Sequence, residues 1–120
     1  KIMHSNFAVS ATCVRVPVLR SHSESITVTF EDGVDVDIEK VREVLTNFEN
    51  VKVIDDLKNN QYPMPLIATD TDYTYVGRIR KDNFASNMLH MWGVADQVRV
   101  GAATNAVRIA QKWIKIEEGK

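Results

Sequence analysis

The amino-acid sequence predicts an α+β domain with a mixed, largely antiparallel sheet and helices packed on one face. The spacing of apolar residues indicates the element order β-β-α-β-β-β-α. Most connections are too short for parallel crossovers between every pair of strands, which favours antiparallel pairing. The length of 120 residues, with 44% hydrophobic and 26% charged residues, suits a single domain with one core.

The composition argues against several classes of partner. Fifteen basic residues against sixteen acidic ones leave a net charge of −1, and no basic run predicts a nucleic-acid or membrane surface. No apolar run reaches the roughly 18 to 20 residues that span a bilayer. The single cysteine, Cys13, cannot form an internal disulfide, which favours a reducing, cytoplasmic compartment. The first residue is Lys1, which predicts a fragment, a processed chain or a trimmed chain.

The first predicted strand covers residues 7–16, whose alternating faces are both small or apolar, and Pro17 ends its pairing. A second strand over residues 25–30 alternates cleanly and is followed by a turn signal at residues 31–33. Its predicted buried face consists of Ile26, Val28 and Phe30.

A helix is predicted from the N-cap Asp37 to about Phe48. Its apolar stripe consists of Ile38, Val41, Leu45 and Phe48. A short strand at residues 51–54 follows, and two prolines with Asn59-Asn60 predict a loop over residues 58–65.

Two further strands are predicted at residues 73–79 and 88–95, separated by a polar turn at residues 81–83. The last helix is predicted over residues 101–114. Its predicted packing face consists of Ala103, Ala106, Val107, Ala110, Trp113 and Ile114. Trp92 is expected to pack on its strand, although either tryptophan could instead anchor a dimer interface.

The chemically richest stretch surrounds Pro17. Arg15 and His22 are seven residues apart, so an uninterrupted strand would place them on opposite faces. A bend at Pro17 would change that parity and could bring the two side chains to one site. There Arg15 could bind a carboxylate bidentately, His22 could exchange protons, and Glu24 could orient the imidazole.

The same residues also allow a structural interpretation. An arginine and a histidine near a strand end are often a surface feature, and a lone cysteine such as Cys13 is usually an inert, buried hydrophobe. The three histidines are far apart and lack metal-ligand spacing, so no metal site is predicted. Arg78 and Arg80 share a strand face, which is interpreted as a solvated or ion-paired edge in preference to a phosphate site.

Three segments, in the same order, resemble aspartate-β-semialdehyde dehydrogenases, especially the bacterial type. They are VSATCVRVPVLRSHSE at residues 9–24, YVGRIRKD at residues 75–82 and GAATNAV at residues 101–107. The resemblance implies an oxidoreductase that reduces aspartyl phosphate to aspartate semialdehyde with NADPH, releasing phosphate, on the route to lysine, methionine and threonine.

In that family, an amino-terminal Rossmann domain binds NADP and supplies a cysteine nucleophile. A second domain, similar to the catalytic half of glyceraldehyde-3-phosphate dehydrogenases, completes the active site and forms the dimer interface. The resemblance implies that residues 1–120 are the C-terminal part of this second domain, without the Rossmann domain, and that the protein is a homodimer.

The resemblance assigns Arg15 to the substrate's α-carboxylate and His22 to the general acid/base that serves the thiol and the thiohemiacetal oxygen. It places Asn105 where the last helix approaches the nicotinamide of NADP. Cys13 does not match the family's nucleophile. Since neither an NCST-like segment nor a dinucleotide-binding turn is present, the chain alone is predicted to be inactive. Such a part-domain should also expose a strand edge and an apolar patch.

Two alternatives are a non-catalytic dimerisation module and a ferredoxin-like ligand-binding regulatory domain. The presence of both Arg15 and His22 favours the dehydrogenase, because an interaction module has no need for a cation and an imidazole beside a strand break.

Overall fold

The computed structural model describes residues 4–119, which form a four-stranded sheet with three α-helices. The elements are β1 (His22–Thr29), α1 (Ile38–Asn47), β2 (Val51–Val53), α2 (Pro65–Ala68), β3 (Thr74–Lys81), β4 (Met88–Ala95) and, after a π-helical turn at Arg99–Ala103, α3 (Thr104–Glu118). The strand order is β1-β4-β3-β2, with β2 and β3 parallel and the other two pairs antiparallel. This mixed sheet confirms the predicted fold class. No helix in the described range is long and apolar enough to cross a membrane.

Helix α1 forms where its sequence predicts it. The Asp37 carboxylate accepts hydrogen bonds from the backbone N–H groups of Glu39 and Lys40, at 3.0 and 3.2 Å, so the predicted N-cap is confirmed. Three of the four predicted stripe residues pack against the core, namely Ile38, Val41 and Leu45. Phe48 follows the last helical residue and stays exposed.

The sheet buries apolar side chains on both faces, because successive strand residues alternate. On the α1 side, the buried core consists of Val36, Val76, Ile79 and Leu89. On the opposite side, it consists of Ala68, Tyr75 and Val94, with Ile54 and Trp92 packed against them. Ala68 belongs to α2, a one-turn helix that the sequence analysis missed and that begins with a proline at its first position.

A bulge interrupts β3 between Gly77 and Arg80. Arg78 has a positive φ of 55°, and its N–H and that of Ile79 donate to the two carboxylate oxygens of Asp55, at 2.7 and 3.1 Å. The side chain of Asp55 is 1% exposed and also forms a 2.6 Å ion pair with Arg42 of α1. One buried carboxylate therefore ties the bulge to the helix above it.

The predicted strand at residues 7–16 is wrong. Residues 4–20 have no regular secondary structure, and residues 4–19 are exposed. A strand exists only when its backbone groups pair with a neighbour, and no strand of the described chain pairs with this segment. The alternation of Phe7, Val9 and other apolar residues reflects apolar character without burial. We refer to residues 4–19 as the N-terminal arm.

The predicted start of the last helix, at about residue 101, lies within the π-helical turn Arg99–Ala103 that runs directly into α3, and the helix ends later than predicted. Its expected packing face is not covered. None of the residues of α3 is buried, and Val107, Trp113 and Ile114 are more than half exposed. The face is apolar as the sequence indicates, but the described chain supplies nothing to pack on it. The predicted exposure of an apolar patch is therefore confirmed, and so is a free strand edge, since β1 lies at one end of the sheet.

Candidate functional site

The N-terminal arm places Arg15 in the open. Its side chain is exposed, and within residues 4–119 it takes part in no hydrogen bond or ion pair. Cys13, two residues earlier, is also free and exposed, so the expectation of a buried, mid-strand thiol is wrong. The arm as a whole forms no hydrogen bond to the rest of the described chain.

The chain bends between Pro17 and Ser21, as the sequence predicts. Val18 N–H donates to the carbonyl of Val16 at 2.9 Å, which closes a three-residue turn around Pro17. Ser21 then adopts a positive φ of 77° while only 2% exposed. The backbone enters β1 directly after this residue.

Polar contacts from two other segments hold this bend. Ser21 N–H donates to Gln97 Oε1 at 2.6 Å, and its hydroxyl lies 3.0 Å from Thr69 Oγ1. Arg20 forms ion pairs with two carboxylates, at 2.9 Å from Nη1 to Asp70 Oδ1 and at 2.9 Å from Nε to Asp96 Oδ2. The second pair is electrostatic, because the Nε–H is not directed along that line. We call these six residues the corner cluster: Arg20, Ser21, Thr69, Asp70, Asp96 and Gln97.

Asp96 is the centre of the corner cluster. Its side chain is fully buried, and its oxygens accept hydrogen bonds from the backbone N–H groups of Asp70, Val98 and Arg99, at 2.7, 2.9 and 3.2 Å. Burial alone would raise the pKa of this carboxyl, but these donors and Arg20 hold the pKa at about 2. Asp96 is therefore ionised at neutral pH and joins the bend to the start of the terminal helix.

His22 is the first residue of β1 and pairs with Ala95 of β4. Its side chain is exposed and shares a sheet face with Glu24 and Ile26, which is the face that α1 covers further along. Within residues 4–119, no hydrogen bond or ion pair joins His22 to Arg15 or to Glu24. The structure confirms the bend between the two predicted site residues but does not show them in contact.

Asn105 lies in the first turn of α3 and is exposed. It lines a surface groove of about 370 Å³ that runs along one face of this helix, together with Arg108, Ile109, Lys112, Trp113 and Ile116. Asp72 fixes the start of the helix, since its carboxylate accepts two hydrogen bonds from Arg99, at 2.8 and 2.9 Å, and one from Thr104 at 2.8 Å. The Arg99 and Thr104 donors lower the pKa of Asp72 to about 2.

A second groove, of about 430 Å³, lies on the sheet face opposite α1, where Arg78, Arg80 and Trp92 form part of its lining. Arg80 donates to the carbonyl of Arg78 at 2.9 Å, and neither guanidinium forms an ion pair within the described residues. This agrees with the interpretation of a solvated edge. Trp92 packs beside the buried cluster of Tyr75 and Val94, as expected.

His90 has a structural environment that the sequence analysis did not identify. Its two ring nitrogens lie 2.8 Å from Asp82 Oδ2 and 2.9 Å from Thr27 Oγ1, so it links β1, β4 and the turn after β3. No three side chains of the metal-ligating types lie together anywhere in residues 4–119.

We expect Asp82 to contribute to acid stability. The hydrogen bond from His90, followed by those from the N–H groups of Phe84 and Ala85, lowers the pKa of Asp82 from 3.8 to about 2. A carboxyl with a lowered folded-state pKa stabilises the fold above its unfolded pKa, and this stability is lost as the pH falls toward the folded value. Asp82→Asn should therefore weaken the fall in unfolding free energy between about pH 4 and pH 2. Urea unfolding at a series of pH values measures it.

The matched control is Asp32→Asn, which changes an exposed carboxylate in the turn after β1 that has no hydrogen bond or ion pair within residues 4–119. This variant should keep the pH dependence of the parent. Equal slopes for the Asp82 variant and the parent would contradict the expectation.

Comparison with known proteins identifies the family of this chain. Residues 1–100 match the family described as semialdehyde dehydrogenase, dimerisation domain. The chain is 62% identical over 117 residues to the aspartate-semialdehyde dehydrogenase of Campylobacter jejuni, which covers 98% of this chain and 34% of that protein. It is 56% identical to a Helicobacter pylori aspartate-semialdehyde dehydrogenase, over 96% of this chain and 33% of the relative. The chain thus spans about a third of the length of the curated relatives it matches.

Solved structures agree with the sequence comparison. Aspartate semialdehyde dehydrogenase II of Vibrio cholerae, in complex with ASA, superposes with a TM-score of 0.77 at 35% identity, over 87% of this chain and 30% of that one. The Francisella tularensis aspartate semialdehyde dehydrogenase has a TM-score of 0.77 at 32% identity, over 93% and 31%.

Proposed function

This chain belongs to the aspartate-semialdehyde dehydrogenase family, as part of its dimerisation domain, and we propose that it supplies the substrate-carboxylate and acid/base groups of such an enzyme. The reaction is the NADPH-dependent reduction of aspartyl phosphate to aspartate semialdehyde. One observation carries the proposal: a chain of this family bears an arginine and a histidine on either side of a held bend, and neither side chain has a partner within residues 4–119.

Arg15 is proposed to bind the α-carboxylate of the substrate. Its guanidinium is planar, permanently charged and able to donate two parallel hydrogen bonds to a carboxylate. Because no acidic side chain of residues 4–119 occupies it, the guanidinium is free for a ligand.

His22 is proposed to act as the general acid/base. Its ring is exposed and unpaired within the described residues, so it can take up a proton from a thiol and return one to the developing oxygen of the substrate. The thiol belongs to the portion of the enzyme that this chain does not include, as the family resemblance implies. His22 therefore completes a site assembled from two portions.

NADP is the proposed cofactor, and Asn105 is the residue of this chain proposed to face it. The side-chain amide of Asn105 has one acceptor and two donor positions, which suit the carboxamide of a nicotinamide. Asn105 is exposed in the first turn of α3, so this hydrogen-bonding capacity is free to meet a ligand. When bound, NADPH supplies the hydride.

The chain alone is proposed to be inactive and to work within a homodimer. A general base accelerates nothing without the nucleophile that it serves. The dimerisation-domain family and the uncovered apolar residues of α3 support assembly with further protein surface.

A chimeric enzyme tests the proposal. In this chimera, the chain replaces the matching 117-residue segment of the Campylobacter jejuni relative. We expect the chimera to form NADPH from aspartate semialdehyde, phosphate and NADP, and the 120-residue chain alone to form none. An inactive chimera that is folded, or an active isolated chain, would contradict the proposal.

Arg15→Lys in the chimera should raise the KM for aspartate semialdehyde about tenfold or more and change kcat less. A lysine keeps the charge but loses the bidentate geometry, and a hydrogen bond to a charged group contributes about 1.5–3 kcal/mol. Steady-state kinetics measure both constants. Arg78→Lys, which changes an exposed arginine away from the bend, is the control and should leave KM unchanged. An unaltered KM in Arg15→Lys would exclude its proposed role.

A further inference from the structure

Ser21 has the most constrained backbone near the proposed site. It adopts a φ of 77°, lies 2% exposed, and directly precedes His22. Residues other than glycine keep such a conformation only when surrounding contacts hold them there, and such residues cluster at functional sites. The contacts of the corner cluster explain how this one is held.

The contacts that hold Ser21 come from distant parts of the sequence. Its N–H donates to Gln97, 76 residues later, and its hydroxyl meets Thr69, 48 residues later. Arg20 is ion-paired to the carboxylates of Asp70 and Asp96. The two residues before His22 are therefore fixed from both the α2 turn and the end of β4.

The fixed corner determines how His22 enters the sheet. The β1–β4 ladder begins with His22 opposite Ala95, and Asp96 is the next residue after that partner. The peptide between Arg20 and Ser21 is held by the bond from Ser21 N–H to Gln97, and His22 is held opposite Ala95 in the ladder, so the backbone is fixed on both sides of Ser21. The corner cluster therefore sets the direction in which the His22 side chain leaves the backbone.

The corner also sets where Arg15 can go. Residues 4–19 form no hydrogen bond to the rest of the described chain, so the arm is attached only through the bend. The direction of that attachment is fixed at Arg20 and Ser21. Asp96 also accepts hydrogen bonds from the backbone N–H groups of Val98 and Arg99, where the turn that leads into α3 begins.

We infer that Arg20, Ser21, Asp96 and Gln97 are positioning residues for His22, and that they couple its orientation to the start of the helix that carries Asn105. This inference rests on the proposed function, because it takes His22 as the acid/base group. None of the four residues is assigned a contact with substrate or cofactor, and each acts through His22.

The test compares two hydrogen bonds at opposite ends of β1 in the chimeric enzyme. Gln97→Ala removes the acceptor for Ser21 N–H, whereas Asn87→Ala removes a side-chain amide that donates to the carbonyl of Phe30 at 3.0 Å. Each variant deletes one side-chain-to-backbone bond. Gln97→Glu keeps a side chain of the same length whose carboxylate oxygen can accept from Ser21 N–H, so it serves as the rescue variant.

We expect Gln97→Ala to lower kcat about 10- to 100-fold, because small displacements of a catalytic group have effects of this size. The KM for aspartate semialdehyde should change by no more than about threefold, because Gln97 is assigned no contact with the substrate. Gln97→Glu should recover most of kcat, and Asn87→Ala should keep it. In the 120-residue chain, the Ser21 amide should exchange with solvent faster in Gln97→Ala than in the parent.

Equal kcat values for Gln97→Ala and Asn87→Ala would overturn the inference, and so would unchanged exchange of the Ser21 amide. If Gln97→Ala does not fold, Ser21→Gly replaces it. Glycine can adopt the same φ at position 21 but can also adopt many others, so the backbone there is less restricted. We expect a lower kcat with retained stability, and an unaltered kcat would overturn the inference. Failure of the proposed function has a different signature, since His22→Ala would then leave the activity of the chimera intact.

Discussion

His22→Ala in the chimeric enzyme is expected to lower kcat about 100- to 10,000-fold, which is the usual contribution of a positioned general acid/base. The imidazole is proposed to take up and return the proton of the reacting groups, and alanine can do neither. KM should change little, because binding of the substrate carboxylate is assigned to Arg15. Steady-state kinetics with aspartate semialdehyde, phosphate and NADP measure both effects.

The stability of this variant should stay within about 0.5 kcal/mol of the parent, because His22 is exposed and has no hydrogen bond or ion pair within residues 4–119. His4→Ala is the control, since His4 is also an exposed histidine but lies in the N-terminal arm, away from β1. It should keep the full activity. Comparable kcat values for the two variants would remove the acid/base assignment of His22.

Gly77→Ala is expected to destabilise the fold by about 3 kcal/mol or more, at the upper end of the effects of overpacking. A methyl group at this position would overlap the carbonyl oxygen of Ile54 and the ring of Pro63. Both obstacles are rigid, one being backbone next to β2 and the other a proline that is almost fully buried. Urea unfolding of the 120-residue chain measures the loss as a lower midpoint.

Gly93→Ala is the control for this expectation. Gly93 lies on the neighbouring strand β4, and a methyl group there would meet only Ile26 Cδ1, at an ordinary contact distance of 3.5 Å. We expect a change of no more than about 1 kcal/mol. If the two variants unfold at the same urea concentration, close packing is not the reason for a glycine at position 77.

Elements that depend on local chemistry could be predicted from the sequence. The cap at Asp37 and the first three turns of α1 involve residues within four positions of one another, so the sequence displays them directly. The antiparallel pair β3–β4 is nearly as local, since its strands are joined by a short turn. The mixed sheet followed from these elements, as predicted.

The strand predicted at residues 7–16 failed for a different reason. Apolar alternation indicates which side chains could be buried, but a strand also needs a partner for its backbone groups. The described chain supplies none, and the arm stays in solvent. The prediction that one face of α3 is buried was wrong for the same reason. The apolar residues are present on the helix, but residues 4–119 supply no surface that covers them.

Part of the candidate site could be predicted and part could not. A bend at Pro17 was predicted as the end of a paired strand, and the structure has a turn there, although it follows an unpaired arm and not a strand. The buried role of Asp96 had one local signal, an aspartate three residues before a helical turn. The bond from Ser21 to Gln97 had no signal at all, because no local pattern relates residues 76 positions apart.

The place of β1 in the sheet has a consequence for the order of folding. Its partner β4 lies beyond a connection of about sixty residues, whereas β3 and β4 are almost adjacent in sequence. Closing the longer loop costs more chain entropy, so docking of β1 follows formation of the β3–β4 hairpin. His22 is carried by the strand that is expected to dock late, so a partly folded chain would hold the proposed acid/base group away from its place in the sheet.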